Sequence, residues 1–158
     1  MDKALLIDLF RVLVFPKDKT YFGDLNPLYD KNTGHLGLKP DEYLEFNQEL
    51  LRFLATLVPT TRLCLYTAAT QFQHDLRVKP ILDPIFASVY STEGLGMRKT
   101  DPESFQLVCS QLQAIPSQVM YVGDNSACVE AAAKAGLSAI LYTTNSDVIS
   151  AIQSYLTS

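Results

Sequence analysis

Five short apolar runs punctuate this chain, and helical patterning fills most of the intervals between them. KALLIDL at 3–9, RLCLY at 62–66, IFASVY at 85–90, VMYV at 119–122 and AILY at 139–142 each have the length of a buried strand. Tyr43, Phe46, Leu50, Phe53, Leu54 and Leu57 recur mostly three and four residues apart, which predicts one helix over 40–57, opened by Pro40 and ended by Pro59. Further helices are predicted over 71–78, over 101–112 with Pro102 near its start, over 126–135 before Gly136, and over 147–156. Strands alternating with helices specify an α/β fold with a mostly parallel sheet, here of about five strands.

One stretch breaks the alternation. Residues 16–38, PKDKTYFGDLNPLYDKNTGHLGL, are rich in Gly, Pro, Asn and Asp and read as a loop-rich insertion of short, broken elements. The aromatic residues there, Tyr21, Phe22 and Tyr29, are expected to pack the segment. A length of 158 residues suits a single domain over 1–158 with a core that needs no staples.

Charge and cysteine usage narrow the function classes. Thirteen Lys and Arg against seventeen Asp and Glu give a net charge of −4 without a basic block, so no nucleic-acid partner is expected. No apolar run reaches the length of a membrane span. The first apolar run is cut at Asp8 with no small-residue cleavage site behind it, so it is not expected to be a signal peptide. Cys64, Cys109 and Cys128 are odd in number and widely spaced, which fits free thiols in a reducing cytoplasm.

In parallel α/β sheets ligands sit beyond the carboxyl ends of the strands. The polar residues at those ends are Asp8 after the first run, Thr67 after the second, and Gly123-Asp124-Asn125 after the fourth, with Lys99 in a loop ahead of a helix. Two carboxylates held close call for a cation between them, and oxygen donors completed by water suit Mg²⁺. A carboxylate can also attack phosphorus, while a lysine, a hydroxyl and the backbone N–H groups of Thr67 and Ala68 take the phosphoryl oxygens. Mg²⁺-assisted phosphoryl chemistry is one of several readings of these residues alone.

The same residues carry a resemblance. Asp8-Leu9-Phe10-Arg11-Val12-Leu13 after its strand resembles the first motif of the haloacid dehalogenase (HAD) superfamily of hydrolases, and Leu63-Cys64-Leu65-Tyr66-Thr67 the second. Lys99-Thr100-Asp101-Pro102-Glu103-Ser104-Phe105 resembles its lysine motif. Val122-Gly123-Asp124-Asn125, running into the helix that ends at Ala135-Gly136-Leu137, resembles the fourth. The four stand in the family's order and span nearly the whole chain. The resemblance implies a Rossmann-like sheet with helices on both faces and a catalytic set of Asp8, Thr67 and Lys99. It also implies Mg²⁺ held by Asp8, the Phe10 carbonyl and Asp124, and a phosphorylated substrate.

Three positions depart from that pattern. Phe10 stands where most phosphatases of the family carry a second Asp as general acid and base; a positioned acid/base is worth about 10²–10⁴-fold. Without it, aryl and acyl phosphates are expected to turn over better than alkyl ones. Arg11 stands where a glycine is usual, and either meets phosphate or points to solvent. Cys128 takes the place of a second acid, which Glu130, about 200° round the helix, cannot fill. With residues 16–38 too short for a full helical cap, the site is expected to be open to bulky substrates or covered by a second copy of the chain. The alternatives to a phosphatase are a 2-haloacid dehalogenase, favoured by Phe10 and Asn125, and a binding protein on a degenerate hydrolase fold.

Overall fold

The computed structural model describes residues 2–158. In chain order its elements are β1 (Ala4–Ile7), β2 (Val14–Pro16), α1 (Leu25–Tyr29), a π-helical turn (Asp30–His35), α2 (Pro40–Tyr43), β3 (Leu44–Phe46), α3 (Gln48–Leu57), β4 (Arg62–Thr67), a 3₁₀ turn (Phe72–His74), α4 (Lys79–Leu82), β5 (Ser88–Ser91), α5 (Thr92–Leu95), α6 (Pro102–Leu112), a second 3₁₀ turn (Pro116–Gln118), β6 (Val119–Gly123), α7 (Ser126–Lys134), β7 (Ser138–Leu141) and α8 (Asn145–Thr157).

The five longer-range strands form one parallel sheet in the order β5-β4-β1-β6-β7. The first strand is central because its apolar residues are wanted on both faces. Leu5, Ile7 and Leu9 point into one core with Leu50 and Leu54 of α3 and Val148 and Ile152 of α8. Ala4 and Leu6 point into the other with Phe105 and Val108 of α6 and Ala131 and Ala132 of α7. Alternation along a strand puts successive side chains on opposite faces, so each helix pair covers one side. The strand order reverses at β1, which opens a crevice beyond its carboxyl end.

Three predicted elements differ in the structure. The helix expected over 40–57 is split: α2 stops at Tyr43, the chain extends through β3, and Asn47 starts α3 by accepting from the Leu50 N–H at 3.2 Å. The cause is non-local. Val14, Phe15 and Pro16 pair antiparallel with Phe46, Glu45 and Leu44, and that ladder takes the backbone out of the helical register. The helix expected over 71–78 shrinks to one 3₁₀ turn, because the Asp75 carboxylate accepts from the Arg77 N–H at 2.9 Å and turns the chain. The third strand begins at Ser88, three residues late, since Phe86 N–H still closes the turn of α4 on Leu82.

Residues 16–38 do form short, broken elements: α1 and the π-helical turn. Tyr29 packs edge-on against Phe72 at 5.6 Å between ring centres, and Tyr21 lies against the same core. Phe22, expected to pack, is instead 86% exposed.

Candidate active site

Asp8 is carried past the end of β1 and held there by its backbone, whose N–H donates to Val122 O of β6 at 2.9 Å. Its side chain is buried. The Oδ1 oxygen accepts from the Leu9 N–H at 2.8 Å, and Oδ2 accepts from Lys99 Nζ at 2.5 Å. Lys99, buried as well, donates to Tyr66 O at 3.2 Å. Its ammonium lies 5.5 Å from the Tyr66 ring centre and 6.0 Å from that of Tyr121. A buried lysine keeps its charge only with such partners. Of its three N–H donors, one remains for a ligand.

Thr67 closes β4. Its buried hydroxyl accepts from the Ala69 N–H at 2.9 Å, which leaves the O–H proton to donate. The Ala68 N–H has no partner among the described residues. Asp124 follows the last residue of β6 and stands more exposed than Asp8. Burial of its inner side, and then the charge of Asp8, raises its carboxyl above the ordinary range, although Lys99 works the other way. Asp8, Thr67, Lys99 and Asp124 all line one cavity of about 620 Å³, together with Phe10 and Cys128. The residues singled out in the sequence therefore meet at one place.

The departures from the family pattern acquire physical content. Arg11 sits at φ 61, the left-handed region a glycine would occupy without strain. One arm of its guanidinium is engaged: Nη2 donates to Gly23 O at 2.6 Å and to Tyr21 O at 3.3 Å, tying residues 16–38 to the β1 loop, while the residue also lines the cavity. The Phe10 ring packs 5.3 Å from Phe72, in an aromatic cluster with Tyr29 and Phe46. Cys128 is a buried packing residue of the α7 face, its thiol pushed up by burial. Asn125 caps α7, accepting from Ala127 N–H at 2.9 Å and Cys128 N–H at 3.4 Å, and Glu130 is exposed away from the cavity.

Sequence reasoning missed Tyr121. Its hydroxyl, on a fully buried side chain, donates to Asp8 Oδ2 at 3.3 Å. Burial, then the Asp8 charge, pushes the phenol well above its usual range, so it stays a donor. To reach Asp8 the ring lies along the strand over position 123: a Cβ there would stand 2.3 Å from the Tyr121 hydroxyl. Gly123 is required by that approach. The available signal was a tyrosine two residues before a glycine, on the strand face that Leu6 and Asp8 share.

Would these residues suit Mg²⁺? The donors are hard oxygens: two carboxylates that repel each other, and the Phe10 carbonyl. The bridge between Phe10 and Val14 uses the backbone groups of Leu9 and Arg11 and leaves that carbonyl unpaired among the described residues. No cluster of three or more His, Cys, Asp or Glu side chains stands ready for a metal among the described residues. A set of two carboxylates and a carbonyl, completed by water, fits a magnesium ion better than a metal needing an all-protein cage.

A parallel α/β sheet with an acid at the central switch point, a buried lysine beside it and a second acid on the neighbouring strand defines a hydrolase-type crevice. Residues 43–136 match the family of haloacid dehalogenase-like hydrolases, which is more than half of the chain. The chain belongs to that family. No curated protein sequence matches it. Among solved structures it is similar to a HAD-like family hydrolase from Porphyromonas gingivalis, with TM-score 0.72 and 18% identity over 100% of this chain and 99% of that one. It is also similar to a 2-haloacid dehalogenase from Pseudomonas syringae pv. Tomato, with TM-score 0.68 and 18% identity over 99% of both chains. A third similar structure is a HAD family enzyme from Bacteroides thetaiotaomicron in complex with magnesium and inorganic phosphate, with TM-score 0.66, 14% identity, and 92% of this chain and 96% of that one covered. Likeness at this identity extends to the fold.

Proposed function

We propose that this chain is a Mg²⁺-dependent phosphatase that acts through an aspartyl-phosphate on Asp8. The observation that carries it is the placement of Asp8 at the switch point with Lys99 at 2.5 Å and Asp124 on the same cavity. Lys99 pairs with the Asp8 carboxylate and aims it, and the Leu9 N–H and Tyr121 hydroxyl fix its rotation. One Asp8 oxygen attacks phosphorus in line with the ester oxygen. The free donors of Lys99, Thr67 and Ala68 take the negative charge of the transferring group. Asp8, the Phe10 carbonyl and Asp124 would hold Mg²⁺, which when bound supplies positive charge to the phosphoryl oxygens. Water then cleaves the acyl phosphate and frees Asp8.

The complex of the Bacteroides relative with magnesium and phosphate supports the ligand class. The dehalogenase relative keeps a second reading alive, in which Asp8 attacks carbon; Asp124 argues against it, since that chemistry has no cation to hold. The substrate is expected to be phosphorylated. Among the described residues no helix is long and apolar enough to cross a membrane. The three buried free thiols suit a reducing compartment, the cytoplasm. The test is a panel of phosphate esters and 2-haloacids with and without Mg²⁺. Phosphate release that needs Mg²⁺ and vanishes in Asp8→Asn supports the proposal. Halide release without metal would replace it with the second reading.

A further inference from the structure

The expectation that good leaving groups react best rests on position 10 alone, and takes no account of the other wall of the cavity. Residues 24–27 form that wall: Asp24, Leu25, Asn26 and Pro27 line the same space as Asp8. The wall is pinned. Arg11 holds the carbonyls of Tyr21 and Gly23, and the Tyr21 hydroxyl donates to Asp24 O at 2.7 Å. Asn26 latches to the loop after β4 in both directions, donating to Ala68 O at 2.9 Å and accepting from Thr70 N–H at 3.1 Å. Asp24 precedes α1 yet its carboxylate does not cap that helix, and it makes no hydrogen bond or ion pair among the described residues.

An acid for the leaving group must come from the cavity lining. Asp8 and Lys99 are committed to each other, and Asp124 stands with Asp8 in the expected metal set. The Cys128 thiol belongs to the packed core under α6 and α7, and a guanidinium is not a proton donor for such a step. Asp24 is the remaining carboxyl on the cavity, and among the described residues it has no hydrogen-bond or ion-pair partner. In-line attack by Asp8 puts the departing oxygen on the side of phosphorus away from Asp8, within the cavity that residues 24–27 help to line.

Resting on the phosphatase reading above, we propose that Asp24 is the general acid and base of this enzyme, taking over the work that Phe10 cannot do. In the first step an Asp8 oxygen bonds to phosphorus, the P–O ester bond breaks, and the Asp24 carboxyl gives its proton to the departing oxygen; the products are an alcohol, the aspartyl-phosphate and the Asp24 carboxylate. In the second, water attacks phosphorus and gives a proton to Asp24 while the bond from phosphorus to Asp8 breaks. Inorganic phosphate leaves, Asp8 is a carboxylate again, and Asp24 is again protonated. The two departures are then linked: the acid is missing at position 10, and the residue beside it, Arg11, accepts a left-handed backbone in order to pin the segment that brings another.

The experiment compares one alkyl and one aryl phosphate, with Mg²⁺, on the unaltered chain, Asp24→Asn and Asp8→Asn. The unaltered chain is expected to turn over both. Asp24→Asn should lower the alkyl rate by about 10²–10⁴-fold, the aryl rate by far less, and leave KM for both nearly as it was, whereas Asp8→Asn abolishes both. Phe10→Asp in the Asp24→Asn background should recover part of the alkyl rate. Equal losses on the two esters, or no loss on the alkyl one, overturn the role of Asp24. If Asp24→Asn has no effect while Asp8→Asn abolishes turnover, the phosphatase reading stands and only this inference falls. If the unaltered chain releases phosphate from neither ester, both fall.

Discussion

The cavity has two walls, and each contains a tyrosine folded over a glycine two residues on. At the sheet edge, Tyr121 lies over Gly123 and its hydroxyl reaches Asp8. In the strap of residues 16–38, Tyr21 lies over Gly23 and its hydroxyl reaches Asp24 O. The local geometry is the same and the surroundings are opposite. Tyr121 is fully buried under α6, edge-on to Phe105 at 4.9 Å between ring centres, and cannot move without opening a core. Tyr21 is half-buried on a segment held by a few side-chain tethers. One wall is rigid because packing over-determines it; the other is adjustable because single bonds hold it.

The largest difference should appear on breaking the rigid wall's central pair. Lys99→Ala leaves Asp8 buried without its partner, and breaking a buried ion pair typically costs about 3–5 kcal/mol. Urea unfolding should show a loss of that size, and turnover should vanish. A loss below about 1 kcal/mol would mean that water reaches Asp8 freely and that the wall is not rigid.

Next comes Gly123→Ala. The new methyl would stand 2.3 Å from the Tyr121 hydroxyl and 2.6 Å from the ring, so the ring or the strand must shift. Overpacking of this kind costs about 1–3 kcal/mol. Combining it with Tyr121→Leu should recover most of the stability, and the double-mutant cycle measures the coupling. Turnover should stay low in the double variant, because the bond to Asp8 is gone.

The strap's own anchor is electrostatic and can be loosened by pH. Asp75 holds Tyr29 through its hydroxyl at 2.8 Å and Arg77 through two guanidinium bonds. The bonds from Arg77, with that from Tyr29 adding to them, hold its carboxyl down to about 2. A carboxyl lowered on folding adds stability that is fully present above its unfolded value, near 4, and is lost as pH falls toward 2. The contribution is at most about 2.5 kcal/mol, and Asp75→Asn should remove it. The stability gap between the chain and this variant should therefore be constant from pH 5 to 7 and close below pH 4. A gap that does not narrow there would show that the anchor is not ionic.

The two walls also differ in how far the sequence announced them. Asp8, Thr67, Lys99 and Asp124 of the rigid wall each stand at the end of an apolar run or just ahead of a helix, and the pattern of runs placed Asp8, Thr67 and Asp124 at one edge. The order of the strands in the sheet was not legible in the runs themselves. The adjustable wall has no periodicity to read. Its position depends on pairs such as Arg11 with Gly23 and Asn26 with Ala68, distant in sequence and invisible to local rules. Likewise, the helix pattern over 40–57 was real, but it lost to the ladder between Val14–Pro16 and Leu44–Phe46. Tyr121 was hidden for another reason: a tyrosine in a buried strand is normally core, and only the glycine beside it marked a hydroxyl with somewhere to go.

The smallest effect on stability is expected from Gly23→Ala, and it sharpens the comparison most. The added methyl would stand 2.6 Å from the Tyr21 hydroxyl and 2.8 Å from its ring, nearly the clash met at Gly123. Here the obstructing atoms are the far end of a side chain with solvent beside it, so the ring can swing aside. Replacing a glycine also lowers the entropy of the unfolded chain, which offsets the loss by about 0.4–1 kcal/mol where the backbone allows it. Gly23 does not sit at positive φ, so the backbone does allow it. The net change in urea unfolding should stay within about 0.5 kcal/mol. Function should not be spared equally. Swinging Tyr21 aside removes its bond to Asp24 O, and the alkyl-phosphate rate should fall while the aryl rate holds closer to its starting value. A stability loss as large as that of Gly123→Ala would mean that the strap is packed as tightly as the sheet edge. An alkyl rate that stays level would mean that Asp24 is held in place without Tyr21, by Asn26 and Arg11 alone.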